Sequence, residues 1–180
     1  MSITNQQFII YACPVGELNK QLEQYLHRSR ELYGANSAHK YMPHCTLTGF
    51  FTAEPNSIPI YLKALNKAYF MAKNDLYLDV KVKQLTFNEN WHGLELKAEN
   101  IKNLIANFSQ NKAVNNYQDK LRLKEWLHLS LAYDFKPEYK KELQQLASDI
   151  IDMKAGVNWE LRFYQKNPDL SWKCLQSWTI

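Results

Sequence analysis

The chain is poor in glycine and cysteine, with 5 and 3 in 180 residues. Cys13, Cys45 and Cys174 are odd in number, far apart and form no C-x-x-C. That pattern argues against a disulfide framework or a zinc knuckle and fits a reducing, cytoplasmic setting. No G-x-x-x-x-G-K-[ST] loop occurs, so a nucleotide fold built around a phosphate-cradling turn has little support. H-x-x-x-H, H-x-H and Cys/His clusters at ligand spacing are also missing, so no metal or other cofactor is expected. No apolar run approaches the roughly 20 residues that cross a bilayer, so no membrane association is expected. Met1–Gln7 lacks the basic-then-apolar order of a signal peptide. There is no long basic run for a nucleic-acid arm, no repeat of 20–50 residues and no linker between independent domains.

What remains is ordinary globular material. Hydrophobic residues make up 46% and charged residues 22%, and the 11 Tyr, 8 Phe and 5 Trp are enough for a core with some left to line a pocket. The net charge of +4 suits an anionic ligand without requiring one. The length fits a single domain over 1–180 made of two similar, interleaved lobes.

Phe8–Ala12 reads as a buried strand stopped by Pro14 and Gly16. Leu18, Leu22, Tyr25 and Leu26 predict a helix from Glu17 to Leu32, with Gly34 as its stop. His44–Phe51 reads as a strand, and Asn56-Ser57 as the cap of a helix to about Ala72. Alternation predicts a strand over Leu76–Val82, broken at Asn88-Glu89-Asn90 and followed by another over Gly93–Lys97. Ile101–Phe108 reads as a helix, Trp126–Ala132 as a strand, and Pro137 to about Met153 as a helix. Val157–Tyr164 and Trp172–Trp178 read as a hairpin turning at Asn167-Pro168-Asp169. Each half thus runs strand, helix, strand, helix, strand.

The third element of each half carries the same pattern: His44-Cys45-Thr46 and His128-Leu129-Ser130, 84 residues apart. On a strand, alternate side chains share a face. His44 then lies beside Thr46, and His128 beside Ser130, with Cys45, Leu47, Leu129 and Leu131 turned to the core. Histidine titrates near neutrality and serves as acid or base, while hydroxyls can donate to phosphoryl oxygens. Two such pairs across a cleft suit in-line displacement at a phosphodiester without a metal. One His-x-Thr on a strand is common and usually means nothing; two at matching places in two similar halves are far less often accidental.

These motifs, in the settings Met42-Pro43-His44-Cys45-Thr46-Leu47-Thr48-Gly49-Phe50-Phe51 and Leu127-His128-Leu129-Ser130-Leu131-Ala132-Tyr133-Asp134-Phe135, resemble the two-histidine (2H) phosphoesterase superfamily. Together with Trp159–Tyr164 they are most similar to the 2H domain of the ubiquitin-associated and SH3-domain-containing suppressors of T-cell signalling. The resemblance implies an α+β bilobal fold, with two antiparallel sheets, flanking helices and a pseudo-two-fold central cleft. It also implies metal-independent hydrolysis of 2′,3′-cyclic phosphates or related cyclic nucleotides, with a small nucleotide or an RNA terminus as substrate. The family pairs fall on His44 with Thr46 and His128 with Ser130. The chain has no room for the ubiquitin-binding, SH3 and histidine-phosphatase domains of those proteins, so their partners are not carried over and protein partners stay unknown. His44 is assigned as the acid toward the leaving oxygen and His128 as the base toward water. Alternatives are cleavage of 2′-5′ linked oligonucleotides by the same residues, and a non-catalytic nucleotide- or RNA-binding module.

Around these pairs, Tyr11 and Trp91 are candidate substrate-binding residues, although packing for Tyr11 and a turn position for Trp91 are the commoner readings. Strict alternation puts Tyr133 on the core face unless the strand bulges. Arg122 and Lys124 could steer an anion inward. His27 and His39 read as surface residues, and Cys45 as turned away from the chemistry.

Overall fold

The computed structural model describes residues 6–75, 77–111, 114, 121–167, 169 and 171–180. Its centre is β1 (Gln6–Gly16), in which Phe8 through Pro14 are all buried. A strand buried on both faces needs an unbroken apolar run. Phe8, Ile10 and Ala12 enter the main core, while Ile9, Tyr11 and Cys13 meet Tyr164 in a smaller cluster on the opposite face. Seven further strands complete one sheet: β2 (Cys45–Thr46), β3 (Phe51–Ala53), β4 (Lys81–Phe87), β5 (Trp91–Lys97), β6 (His128–Tyr133), β7 (Val157–Lys166) and β8 (Trp172–Thr179). Their order is β4-β5-β6-β2-β1-β7-β8, with β3 on β1 and every pairing antiparallel.

Four α-helices are seen among the described residues: α1 (Glu17–Tyr33), α2 (Ile58–Asp75), α3 (Glu99–Ser109) and α4 (Lys140–Ile150). α1 packs on α4 and α2 on α3. Their apolar faces (Leu18, Leu22, Tyr25; Tyr61, Leu65; Leu104, Phe108; Leu143, Ala147) join Phe8, Ile10, Leu129, Leu131 and Phe163 in the main core. α1 ends at Gly34, where φ is +80°, a conformation most side chains resist. None of the described helices is long and apolar enough to cross a membrane.

The α+β composition and antiparallel pairing are as expected, but the strands form one sheet rather than two. Among the described strands, β4-β5-β6 and β1-β3-β7-β8 are joined through β2, where Cys45 pairs with Leu129 on one side and Ala12 on the other.

Some predicted elements differ. His44–Phe51 is interrupted: from Thr46 to Phe51 the chain takes five steps while its partner moves three, from Tyr11 to Phe8. The Ile10 amide donates to Thr48 Oγ1 at 3.2 Å, and the Leu47 amide to Ile10 O at 3.0 Å. The excess residues turn to a second partner: Gly49 N–H donates to Arg122 O (2.7 Å) and Lys124 N–H to Leu47 O (3.1 Å). The strand expected over Leu76–Val82 begins at Lys81; Leu78 and Val80 alternate because they are buried, not because they pair. Leu76 lies outside the described residues, as do Met1–Asn5 of the leader reading and Pro168 of the hairpin turn. The helix expected at Asn56 is entered from Glu54 through a 3₁₀ turn, Pro55–Ser57. The helix expected from Pro137 opens with another, Pro137–Tyr139, and stops at Ile150.

His92 is fully buried on β5, with its ring 4.7 Å from Phe135 and 5.1 Å from Phe87, and among the described residues neither ring nitrogen has a partner. Burial, then Lys140, holds its pKa below 6.5. A folded value below the unfolded one means that protonation favours unfolding, so this contribution is complete above pH ~6.5 and is lost as pH falls. His92→Leu should therefore flatten the loss of stability between pH 7 and 5 and raise stability at pH 5 by about 1–3 kcal/mol, read from urea midpoints; an unchanged slope would refute this role.

Candidate active site

Pro43, Cys45 and Leu47 are buried while His44 and Thr46 are half-buried between them, and Leu129 and Leu131 alternate in the same way with His128 and Ser130. Apolar side chains on the core face thus fix the opposite face of each strand. Cys45 is 1% exposed, and burial pushes its thiol up to about 12, which leaves it inert.

Both histidines are held by the same device. His44 Nδ1 lies 2.8 Å from Met42 O, and His128 Nδ1 lies 3.4 Å from Trp126 O, each the carbonyl two residues earlier. A carbonyl only accepts, so Nδ1 carries the proton and Nε2 is left as the basic nitrogen of each ring. Burial is the main cause that holds both pKa values below 6.5. The Met42 and Trp126 carbonyls oppose it, and positive charge lowers each further: that of His128, when protonated, at His44 and that of Lys124 at His128. Glu95, directly opposite His128 on β5, works the other way.

Aromatic rings set the orientation of both imidazoles. The Tyr11 ring lies 4.1 Å from that of His44, and Tyr41 lies 5.5 Å away nearly edge-on. Trp126 stacks on His128 at 3.9 Å and 26°, while Trp91 meets His128 edge-on at 5.3 Å. The Trp91 Nε1–H donates to Ser130 Oγ at 2.9 Å. This fold of the indole needs Gly93: a Cβ there would fall 2.4 Å from the Trp91 ring and 2.3 Å from Leu129 O.

His44, Thr46, His128 and Ser130 all line one cavity of about 240 Å³, with Tyr41, Trp91 and Tyr133 among its other walls. An adjoining compartment of about 180 Å³ shares Tyr41, His44, Thr46 and Tyr133 and adds Tyr11, Arg122 and Lys124. A third cavity of about 270 Å³ lies beside α3, but its Lys102 is held by Glu99 and Glu125, its Lys124 is shared with the adjoining compartment, and no histidine lines it. Among the described residues no three His, Cys, Asp or Glu are grouped to hold a metal ion.

Several sequence readings need correction here. Trp91 is not in a turn: it opens β5 and faces the cavity. Tyr133 does not face the core. His92 pairs with Ala132 and Gly93 with Ser130, so Leu131 is an extra residue in β6. The bulge buries Leu131 and Ala132 in succession and returns Tyr133 to the cavity face. Tyr11 is 1% exposed, so it backs His44 more than it offers open surface. His39 is no ordinary surface residue, because its Nδ1 accepts from Asn36 N–H and its Nε2 meets Ser29 Oγ at 3.0 Å, fixing the loop that carries Tyr41 and Met42. His27 is exposed and pairs with Glu31. Trp126 and Tyr41 were missed as site residues; the available signal was Trp126 two places before His128, the spacing that puts its carbonyl on Nδ1.

No family model matches the chain. The ecdysteroid-phosphate phosphatase of Drosophila melanogaster is 28% identical over 206 residues, covering 95% of this chain and 27% of that protein. Ubiquitin-associated and SH3 domain-containing protein B of Homo sapiens is 28% identical over 165 residues, covering 90% of this chain and 25% of that one. The ecdysteroid-phosphate phosphatase of Bombyx mori is 28% identical over 91% of the chain. The chain spans about a quarter of the length of these curated relatives. Over nine-tenths of its length this chain is related to the ubiquitin-associated and SH3 domain-containing proteins, and the 2H phosphoesterase resemblance carried by its two histidine motifs accords with that relationship.

Proposed function

We propose that this protein hydrolyses a phosphoester between His44 and His128, and that the ester is a 2′,3′-cyclic phosphate or a related cyclic nucleotide. The observation that carries this reading is the convergence of two histidines, each with Nδ1 on the carbonyl two residues before it, and two hydroxyl residues on one cavity of about 240 Å³. That space suits a cyclic phosphate with its sugar. Two relatives are named as phosphatases, in line with phosphate-ester chemistry, although each is some four times longer.

In this mechanism one imidazole takes a proton from water as the water attacks phosphorus, and the other gives a proton to the departing ribose oxygen. Atoms balance as one P–O bond forms and one breaks, with water supplying both the new oxygen and the proton returned. The His128 bond to Trp126 O is exposed and that of His44 is partly buried. This supports His128 as the base that meets water and His44 as the acid that meets the sugar. Ser130 Oγ already accepts from Trp91, so its own proton is directed elsewhere, toward a non-bridging phosphoryl oxygen. Thr46 serves the other side. A bound phosphate anion between the rings raises the pKa of the acid and so loads it with its proton. No step requires a metal.

In a panel of 2′,3′-cyclic nucleotides with excess chelator, the unaltered protein should turn over at least one member, and His44→Ala and His128→Ala should each lose roughly 10²–10⁴-fold. Turnover that survives both substitutions would end the proposal. The pH profile of kcat/KM should be bell-shaped with its maximum on the acid side of about 6.5, because both free imidazoles titrate low, and the maximum of kcat should lie higher because bound anion holds the acid's proton. A flat profile would exclude paired acid and base. Trp91→Phe keeps the ring and removes the bond to Ser130, so kcat should fall about 2–10-fold with KM little changed; a change confined to KM would make Trp91 a binding wall only.

A further inference from the structure

We propose that the compartment beside His44 is a second phosphate subsite, with Arg122 and Lys124 as its cations, so that the preferred substrate carries a phosphate beyond the one being cleaved. This rests on the reading of the histidine cavity as the place of the scissile phosphate. The two spaces share Tyr41, His44, Thr46 and Tyr133, so a ligand that fills one is bounded by walls of the other.

The cations are placed by backbone pairing rather than by chance on the surface. Gly49 N–H donates to Arg122 O, Lys124 N–H donates to Leu47 O, and Thr48 bridges Leu123. In such an extended pairing residues two apart share a face, and both Arg122 and Lys124 line the compartment. Arg122 lies across Gly49, where a Cβ would come within 3.0 Å of Nε and 3.2 Å of Nη2. Glycine at 49 therefore makes the room in which the guanidinium rests. Among the described residues neither cation pairs with a carboxylate, whereas Lys102, Lys140 and Arg162 all do. A forked guanidinium and an ammonium without an acidic partner among the described residues, at the edge of a cavity read as phosphate-binding, match a second phosphate.

Two kinds of substrate bring such a phosphate: a mononucleotide phosphorylated at its 5′ position, or an oligonucleotide whose terminal phosphate is cyclic. Phe50 separates them. It lines the same compartment, is 47% exposed, and stacks on Trp172 at 5.5 Å and 13°, which offers an aromatic face to a neighbouring base.

The test is titration calorimetry on the full chain at fixed salt, with product-like ligands, so that no turnover is needed. Adenosine 2′- and 3′-monophosphates are compared with their 5′-phosphorylated bisphosphates and with a diadenylate ending in a 3′-phosphate. One of the two-phosphate ligands should bind at least about tenfold more tightly than the monophosphates, the effect of one or two charge-assisted hydrogen bonds. Arg122→Gln with Lys124→Gln should bring that ratio close to one. Gly49→Ala, which keeps both charges but displaces Arg122, should lower it severalfold. Lys63→Gln with Lys141→Gln, which removes equal charge from remote helices, should keep the ratio of the unaltered protein. If only the diadenylate gains, and Phe50→Ala reduces the gain, the source is an oligonucleotide; if the bisphosphates gain and Phe50→Ala has no effect, it is a 5′-phosphate. Equal affinities in the unaltered protein, no binding of any ligand, or a ratio indifferent to the Arg122/Lys124 pair would overturn the subsite. Cyclic-nucleotide turnover is scored separately: turnover without a binding difference removes the subsite and leaves the phosphodiesterase reading, and a binding difference without turnover does the reverse.

Discussion

The site depends on the pairing of two residues. Cys45 and Thr46 are the whole of β2, and through them β1 is joined to β6. Tyr11 pairs with Thr46 on one side of this narrow waist and Leu129 with Cys45 on the other. The side chain of Cys45 is locked in the core, so Thr46 and His44 are held on the opposite face. The pairing with Leu129 does the same for His128 and Ser130. A slip of one residue in either pairing would exchange the cavity residues with Cys45 and Leu129, burying an imidazole and exposing core. The register of the two histidines is thus guarded by the hydrophobic core, not by contacts within the cavity.

On this frame the same solution is reached twice with different residues. Each imidazole is tied through Nδ1 to the carbonyl two places before it, and each rests against aromatic rings. On the His44 side the ring comes from Tyr11, which pairs with Thr46. On the His128 side the position that pairs with Ser130 is Gly93, and the indole of Trp91 folds over it. One half uses a tyrosine in place, and the other uses a glycine with a tryptophan laid across it. The second version gains an indole N–H, which is spent on Ser130.

Most helices and the two motifs were legible in the sequence because they rest on local periodicity: Leu18, Leu22 and Tyr25 show the buried face of α1, and Leu129 and Leu131 the buried face of β6. What local pattern missed was decided by partners distant in sequence. Thr48 satisfies the Ile10 amide and breaks the strand that its own composition favours. Leu131 is absorbed in a bulge against His92 and Gly93, and this turns Tyr133 toward the cavity. Among the described strands the joining of two expected sheets into one turns on the pairing of Cys45 with Leu129, which neither segment announces. Trp126 escaped notice because its role lies in a carbonyl and a ring face, and neither forms part of a His-x-Ser pattern.

The two imidazoles are alike in tether and unlike in setting, and the acid–base pair proposed for them needs that difference. Two identical groups held close would titrate together, and at any pH a large share of molecules would hold the wrong number of protons. Here His44 is enclosed by Tyr11 and Tyr41, while His128 has an exposed tether, a half-exposed Trp126 on its face and Glu95 across the strand pair. Without ligand, burial favours the neutral form of both rings. An anion between them reverses that preference for the ring that meets it in the drier surroundings, where charge is least screened. In the proposed mechanism the substrate's own charge then selects which histidine carries the proton, so the protonation state suited to that reaction arises on binding.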